Sequence, residues 1–541
     1  MAIGSPESHE QSVWVHWFIP SVTDVIFVAL LVLLAFTSLS MRLLGDAGIG
    51  WHIRTGQLIL AAHAIPHTDP FSSSMAGHPW FAWEWLYDSA VGWLDRVAGL
   101  NGVVSFTAVI IAGTFAWTFR LLLRRGTNLL LAVVLTLLAI SAAMIHFQAR
   151  PHVVSWLFAL IWFWILDSSN RSESDQVQSR RIVRTPDRSL WLMPPLMLLW
   201  VNLHGGFLTG FALLAIYWLS GAWSSIKTRQ DRFADILQKI RAKHRLRTLT
   251  LIGLLSALAT FANPYGYKLH VHIFEYLSNR FLMDHIDEFQ SPNFHYVAQK
   301  CFAVLLLLAL VALAAQGRKV SASHGLVMLF AVYSGLYASR NIPVSSLLLV
   351  VIIGPWLSEA IERYSNLRVS AVQSPDNSSS NFLERMRAIE LSLRGHVWAV
   401  AATLLTGWIA LHGGNFPATP LMDAHFDTSR FPVAGVEYLE SRTLQGPILA
   451  PDYWGGYLIY RLYPRARVVV DDRHDFYGEP FLKSYLKMVH VEPGWQDFLN
   501  QHPAQFVLVP KDSALRNILL ETRQWGLVYT DDVTTIFRPI P

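Results

Sequence analysis

The chain is predicted to be a polytopic α-helical membrane protein of about eleven spans with a C-terminal soluble α/β domain. Three observations predict it. The 541 residues are 52% hydrophobic and only 15% charged, too apolar for a soluble protein of this length. Apolar runs of about 17–20 residues recur, the length a helix needs to cross hydrocarbon. From about residue 431 these runs give way to short apolar strands alternating with helical segments.

The spans are expected at 24–41, 103–123, 129–147, 153–166, 190–201, 207–223, 249–262, 302–315, 324–338, 342–356 and 397–411. The first is read as an uncleaved anchor, because no basic stretch or small-residue cleavage site accompanies it. Residues 84–98 alternate apolar Trp85, Leu86, Val91, Trp93 and Leu94 with Glu84, Asp88, Asp95 and Arg96, and read as a helix lying on the bilayer. The single cysteine, Cys301, excludes an intramolecular disulfide and a paired-cysteine metal site.

Orientation follows from cations in alternate loops. Arg120, Arg124 and Arg125 follow the second span. Arg171, Arg180, Arg181, Arg184 and Arg188 follow the fourth, and Lys227 through Arg247 the sixth. Arg318 and Lys319 follow the eighth, and Arg363, Arg368, Arg385, Arg387 and Arg394 the tenth. These loops are read as cytoplasmic. They account for the net charge of +5 without nucleic acid. Arg42, after the first span, argues the reverse and is outweighed. The stretches 169–187 and 373–380 read as mobile, and 231–247 as a basic amphipathic helix on anionic lipid. The expected organisation is an N-terminal cytoplasmic tail, 1–23, and a membrane domain, 24–412, whose first outer loop is 42–102. A periplasmic α/β domain, 413–541, follows.

In that tail, 447–450, 466–470 and 506–509 read as buried strands. Residues 481–489 and 514–523 read as helices, and 527–529 with 534–537 as a hairpin. Asp471, Asp472, Arg473 and Asp475 follow the apolar Val468-Val469-Val470. Carboxylates at the end of a strand are well placed for a ligand, but they also make an ordinary charged turn, and the favoured reading is the turn, with Arg473 paired to a neighbouring acid.

The opening loop is dense in carboxylates, histidines and tryptophans. It carries Asp46, His52, Arg54, Asp69, Trp80 and Glu84. On the expected topology the other polar motifs lie at the same face: Arg150-Pro151-His152, Asn202-Leu203-His204-Gly205-Gly206, Asn263-Pro264-Tyr265-Gly266 and Ser339-Arg340-Asn341. Ionisable groups at membrane depth are costly, so their gathering on one face points to one outward cavity. Taken singly, each has a plain structural role: the glycines and Pro264 as turns, Asn202, Asn263 and Asp46 as helix caps, Arg340 as a snorkelling side chain.

The pattern Asp46, His52-Ile53-Arg54-x-Gly56, Pro66-x-x-Asp69-x-Phe71-Ser72, Gly77-x-x-Trp80 and Glu84-Trp85-Leu86 resembles the first outer loop of a bacterial polytopic family grouped with the GT-C glycosyltransferases. That superfamily holds oligosaccharyltransferases, protein O-mannosyltransferases and aminoarabinose transferases. Arg150-Pro151, Asn202-x-His204-Gly205-Gly206, Asn263-Pro264-x-Gly266, Arg340-Asn341-x-Pro343, Gly455-Gly456-Tyr457-Leu458 and Asp471-x-Arg473-x-Asp475 extend the resemblance over nearly the whole chain. It implies a bacterial inner-membrane enzyme that transfers a sugar from a polyprenyl-phosphate donor to a glycan, lipid or protein acceptor at the outer face. The first-loop Asp acts on the acceptor. Asp46 is followed by Ala47-Gly48, so the second acid common in the superfamily is missing there, and a divalent metal is left open rather than expected.

Displacing polyprenyl phosphate from an anomeric carbon calls for a base at the acceptor hydroxyl and cations at the leaving phosphate. Asp46 is the expected base. Arg340, Arg150 and His204 are the candidates for the phosphate, the arginines through their bidentate fork. His52, Arg54, Asp69 and Glu84 are candidates for sugar or acceptor binding, for phosphate or lipid-headgroup contact, or for orienting the loop. A metal hydrolase built on His63, His67 and Asp69, or on His270 and His272, has no recognised ligand spacing. A transporter would call for an inverted repeat that the spans do not display. The alternative from another class is a non-enzymatic scaffold whose α/β domain binds a partner.

Overall fold

The computed structural model describes residues 16–178, 188–227, 233–372, 378–393, 395–417 and 419–540. The basic residues Arg180, Arg181, Arg184, Arg229 and Arg232 lie outside them. The protein is a polytopic helical bundle with a small C-terminal α/β domain, as the composition predicts. Helices occupy all eleven expected spans: α1 Val22–Phe36, α3 Trp85–Arg124, α4 Leu129–Ala143, α5 His152–Gln178, α6 Met193–Leu203, α7 Leu208–Lys227, α8 Phe233–Ala259, α10 Val297–Gln316, α11 Ala322–Tyr337, α12 Ile342–Val372 and α13 Val397–Leu411. Among the helices that lie between them are α2 Gly48–Ala62 and α9 Tyr267–Ser278. Among the described residues, seven helices are long and apolar enough to cross a bilayer.

Local chemistry explains the helix starts. Ser21 and Asp24 form a capping box on α1, and the Glu390 carboxylate accepts the Val22 and Thr23 amides at 2.9 and 3.1 Å. Asn128 accepts from the Leu131 amide at 2.9 Å at the start of α4, and Ser321 from the His324 amide at 3.3 Å at the start of α11.

Residues 85–98 form a helix distinct from the following span, as expected: Gly99, at φ 59° and ψ −158°, is non-helical and breaks α3 between the two. Two expectations change. Of the basic stretch 231–247, residues 233–247 are the first half of α8 and not a separate helix, and 231–232 lie outside the described residues. The polar stretches read as mobile contribute to helices: α5 runs to Gln178, and a helix spans Ser378–Ser392. Residues 179–187 and 373–377 of those stretches fall outside the described residues.

The opening loop is mostly structured. Helix α2 wedges between α3 and the C-terminal domain, and glycines permit both contacts. A Cβ on Gly56 would stand 1.8 Å from the Asp88 carbonyl oxygen on α3. A Cβ on Gly50 would stand 2.1 Å from the carbonyl oxygen of Gly456, on helix α14 Asp452–Leu462.

The C-terminal sheet comprises β1 Ile448–Leu449, β2 Phe506–Pro510, β3 Trp525–Thr530 and β4 Thr534–Pro539, in the order β1-β2-β4-β3. β1 and β2 are parallel and the other pairs antiparallel. Helices α15 Glu479–Val489 and α16 Ala514–Glu521 flank it, near the expected positions. The segment 466–470 is not a full strand. Only Val468 bridges, to Ile448 on one side and to Ser72 of the opening loop on the other. The Val468 amide donates to the Phe71 carbonyl at 3.2 Å, and the Ser73 amide to the Val468 carbonyl at 2.8 Å. The loop therefore supplies an edge to the sheet of the tail.

Candidate functional site

Where α2 begins, its first turn faces both the bundle and the tail. The Asp46 carboxylate accepts the Gly48 amide at 2.8 Å through Oδ1, which holds it at the helix entrance. Its Oδ2 accepts from Nη1 of Arg150 at 3.0 Å. Nη2 of the same guanidinium donates to Oδ2 of Asp472 at 3.0 Å, and the Trp51 indole N–H to Oδ1 of Asp472 at 3.1 Å. One arginine thus bridges a carboxylate of the opening loop and one of the C-terminal domain. Gly48 makes room for it: a Cβ there would lie 2.4 Å from Arg150 Nη2 and 2.5 Å from Asp472 Oδ2.

Electrostatics follow from burial. Burial pushes the Asp472 carboxyl up to about 7, against the pull of Arg150. Burial opposes charge on Arg150 as well, but Asp46 and Asp472 more than offset it and the guanidinium is held firmly protonated.

Beside this bridge lies a second cluster. The His204 Nδ1 accepts from the Gly206 amide at 3.0 Å and from the Ser155 hydroxyl at 2.7 Å, and that hydroxyl oxygen takes the Trp200 indole N–H at 2.7 Å. This assigns the His204 proton to Nε2, which faces Glu84 Oε1 at 3.6 Å. Nε2 of His52 faces Glu84 Oε2 at 3.9 Å, and its Nδ1 meets Asp88 at 2.6 Å. Burial drives both imidazoles well below their usual range, so both are neutral. Burial also raises the Glu84 carboxyl to about 8, with Arg150 opposing, so Glu84 carries a proton at neutral pH.

Arg340 completes the patch. Its guanidinium lies 3.5 Å from Glu288 and over the Phe289 ring at 4.4 Å. Burial works against the Glu288 carboxylate, but Arg340 and further cations hold it down at about 2. Glu84 lies in the field of Arg150, Asp475, Arg340 and Glu288, and His204 in that of Arg340 and Arg150. Asp46, Arg150, Glu84, His204 and Arg340 therefore share one patch on the face that carries the C-terminal domain. Each keeps part of its side chain open.

The other candidates are employed elsewhere. Arg54 donates through Nε to the Tyr460 carbonyl at 2.9 Å and through Nη1 to Gln57 at 2.8 Å. It is thereby tied to α14. His52 is buried between Glu84 and Asp88. Asp69 accepts the Phe71 and Ser72 amides at 3.1 and 2.9 Å and Arg473 Nη1 at 2.8 Å, all within the interior. These bonds tie it to its own loop and to the C-terminal domain. Arg473 also pairs with Asp471 at 2.8 and 2.7 Å and lies over the Trp80 ring at 4.7 Å.

Asp472 and Glu288 are not among the site residues expected from the sequence. Asp472 had only a doubled acid at a strand end to mark it, and Glu288 only its place in a polar loop. A divalent ion does not fit between the carboxylates of Asp46 and Asp472, because the Arg150 guanidinium already fills that position at 3.0 Å from each.

No family model matches the chain, and no curated protein matches it by sequence. Solved structures do. The oligosaccharyltransferase of Archaeoglobus fulgidus, tethered to an acceptor peptide containing the NVT sequon, aligns at TM-score 0.50 and 12% identity, over 93% of this chain and 69% of that one. The same enzyme, AglB, in complex with an inhibitory peptide and a dolichol-phosphate aligns with the same figures, TM-score 0.50 and 12% identity. ArnT from Cupriavidus metallidurans bound to undecaprenyl phosphate aligns at TM-score 0.47 and 14% identity, over 95% of this chain and 97% of that one. The likeness gives this polytopic membrane chain the fold of that oligosaccharyltransferase.

Proposed function

We propose that the protein is a membrane glycosyltransferase that moves a sugar from a polyprenyl-phosphate donor to an acceptor hydroxyl at the outer face of the bacterial inner membrane. The observation that carries the reading is the convergence of Asp46, Arg150, Glu84, His204 and Arg340 on one partly open patch in a GT-C fold. Asp46 takes the proton of the acceptor hydroxyl, whose oxygen bonds to the anomeric carbon as the bond to the phosphate oxygen breaks. Arg340, paired only loosely with Glu288, receives the charge that develops on the leaving phosphate. Arg150 orients Asp46 and lies close enough to share that charge. Protonated Glu84 offers a hydrogen bond to the sugar or the phosphate.

A second reading, a scaffold, draws on the residues spent in docking the tail: Arg54, Asp69 and Arg473. One experiment separates the two. Purified protein in lipid nanodiscs is given a polyprenyl-phosphate sugar with envelope acceptor fractions, and donor binding and sugar transfer are measured. Asp46→Asn is expected to lower turnover by roughly 10²–10⁴ with donor affinity nearly unchanged. Arg340→Lys is expected to weaken donor binding, because the ammonium lacks the fork. Full turnover in folded Asp46→Asn removes the base. Absence of donor binding by the unaltered protein favours the scaffold.

A further inference from the structure

Helix α9 has three distinct sides. Leu269 and Ile273 are buried toward the bundle, with His272 and Tyr276 beside them. His272 Nε2 meets Asp475 Oδ2 at 3.0 Å and the ring stacks on Phe81 at 4.7 Å. Lys268 and Glu275, seven positions apart, share a charged strip. The third side is Tyr267, Val271 and Phe274, spaced by four and three, and these are 64%, 47% and 72% exposed. A helix bathed in water on two sides would not be expected to carry such a stripe.

The preceding span shows what covers it. Leu251, Leu254 and Leu258 make an exposed stripe on α8 that runs on to exposed Phe261. Phe261 stacks on His270 at 4.7 Å, and the His270 Nε2 lies 2.8 Å from the Thr260 hydroxyl. The start of α9 is thereby folded back on the end of α8. The stripe of the span continues onto α9 instead of ending at the turn. Further along the loop, the Ser291 hydroxyl reaches the Tyr337 carbonyl at 3.4 Å, and exposed Tyr333 and Tyr337 stack at 5.9 Å at the end of α11. Exposed aromatics at the ends of spans are the mark of a bilayer boundary.

We propose that α9 is an interfacial helix whose Tyr267, Val271 and Phe274 side is seated in the bilayer surface, with phospholipid acyl chains as its partner. Its charged strip then faces water and its inner side the patch around Asp475. The inference does not depend on the transfer reading. It places a lipid-contacting element one side chain away from Asp475.

The test uses spin labels in a Cys301→Ser background, with the protein in lipid nanodiscs. Labels at Val271→Cys, Phe274→Cys, Glu275→Cys and Leu258→Cys are compared for relaxation by oxygen and by a water-soluble nickel chelate. All four positions are at least partly exposed, and each variant is checked for unaltered elution before labelling. The ratio of oxygen to nickel accessibility at 271 and 274 is expected to be severalfold above that at 275 and close to that at 258. Nickel access at 271 and 274 equal to that at 275 overturns the proposal. So does shielding of both positions from both reagents, which would mean that protein covers the stripe.

Discussion

Arg473 and Asp69 meet at 2.8 Å although 404 residues separate them, and their side chains are only 2% and 0% exposed. The pair joins the charged turn of the tail to the opening loop. Its surroundings are the Asp471 carboxylate and the rings of Trp80, Phe476 and Phe71. Removing Arg473 would leave the carboxylates of Asp69 and Asp471 buried without a cation. Arg473→Ala is therefore expected to lower stability by about 3–5 kcal/mol. Thermal unfolding in detergent checks this, and Asp69→Ala with Arg473→Ala should lose less than the sum of the two. An unchanged melting temperature in Arg473→Ala would remove the clamp.

The glycines of α2 predict a contrast. At Gly50 a methyl group would meet the Gly456 backbone, and at Gly56 the Asp88 backbone, and neither can move aside. Gly50→Ala and Gly56→Ala are each expected to cost about 1–3 kcal/mol or more. At Gly48 the same methyl group meets only the ends of the Arg150 and Asp472 side chains. Gly48→Ala should keep the melting temperature within a few degrees while displacing Arg150, which orients Asp46, and so lowering turnover. Equal destabilisation at all three positions would contradict this packing.

The Asp472 carboxyl, raised to about 7 by burial, gives a pH prediction for the proposed reaction. Above pH 7 it is ionised and competes with the donor phosphate for Arg150. Below pH 7 it takes up a proton and releases the guanidinium. A polyprenyl-phosphate sugar is a phosphodiester and does not titrate in this range. Donor binding should therefore strengthen from pH 8 to pH 6, by at most about tenfold for one proton with its midpoint near 7. Ionisation of Glu84 above about 8 acts in the same direction. Asp472→Asn should show a flatter dependence and tighter binding at pH 8. A variant as steep as the unaltered protein would show that Asp472 does not compete.

Orientation is open to direct measurement. The positive-inside pattern puts the opening loop and the tail outside and Lys243 inside. In a Cys301→Ser background, an impermeant thiol reagent added to whole cells should label His63→Cys and Lys483→Cys and spare Lys243→Cys. Labelling of Lys243→Cys from outside would reverse the topology and move the proposed reaction to the other face.

Much of the architecture was legible in the sequence, because spans and short strands follow from composition over a few neighbouring residues. The eleven apolar runs each became a helix, and the α/β pattern of the tail became a four-stranded sheet with flanking helices. The errors arose where a local pattern has two readings. A basic stretch such as 231–247 reads the same whether it stands alone or runs into the next span, and in the structure 233–247 belong to α8. The apolar Val468-Val469-Val470 has strand composition, yet its neighbours leave room for only one bridged position.

By itself, then, the sequence determined the membrane class, the helix succession, the resemblance to the GT-C family and the grouping of polar motifs at alternate loops. Tertiary structure alone decided what those motifs touch. Arg150 and Asp472 lie 322 positions apart, and Arg54 and Tyr460 lie 406 apart. No periodicity links residues at such distances. Asp69 and Asp46 look alike in the sequence, both being acids of the opening loop. One is buried under Arg473, and the other stands open beside Arg150. Hydropathy is a property of a segment and can be read along the chain. The partner of a charge depends on which segments the packed glycines of α2 bring together.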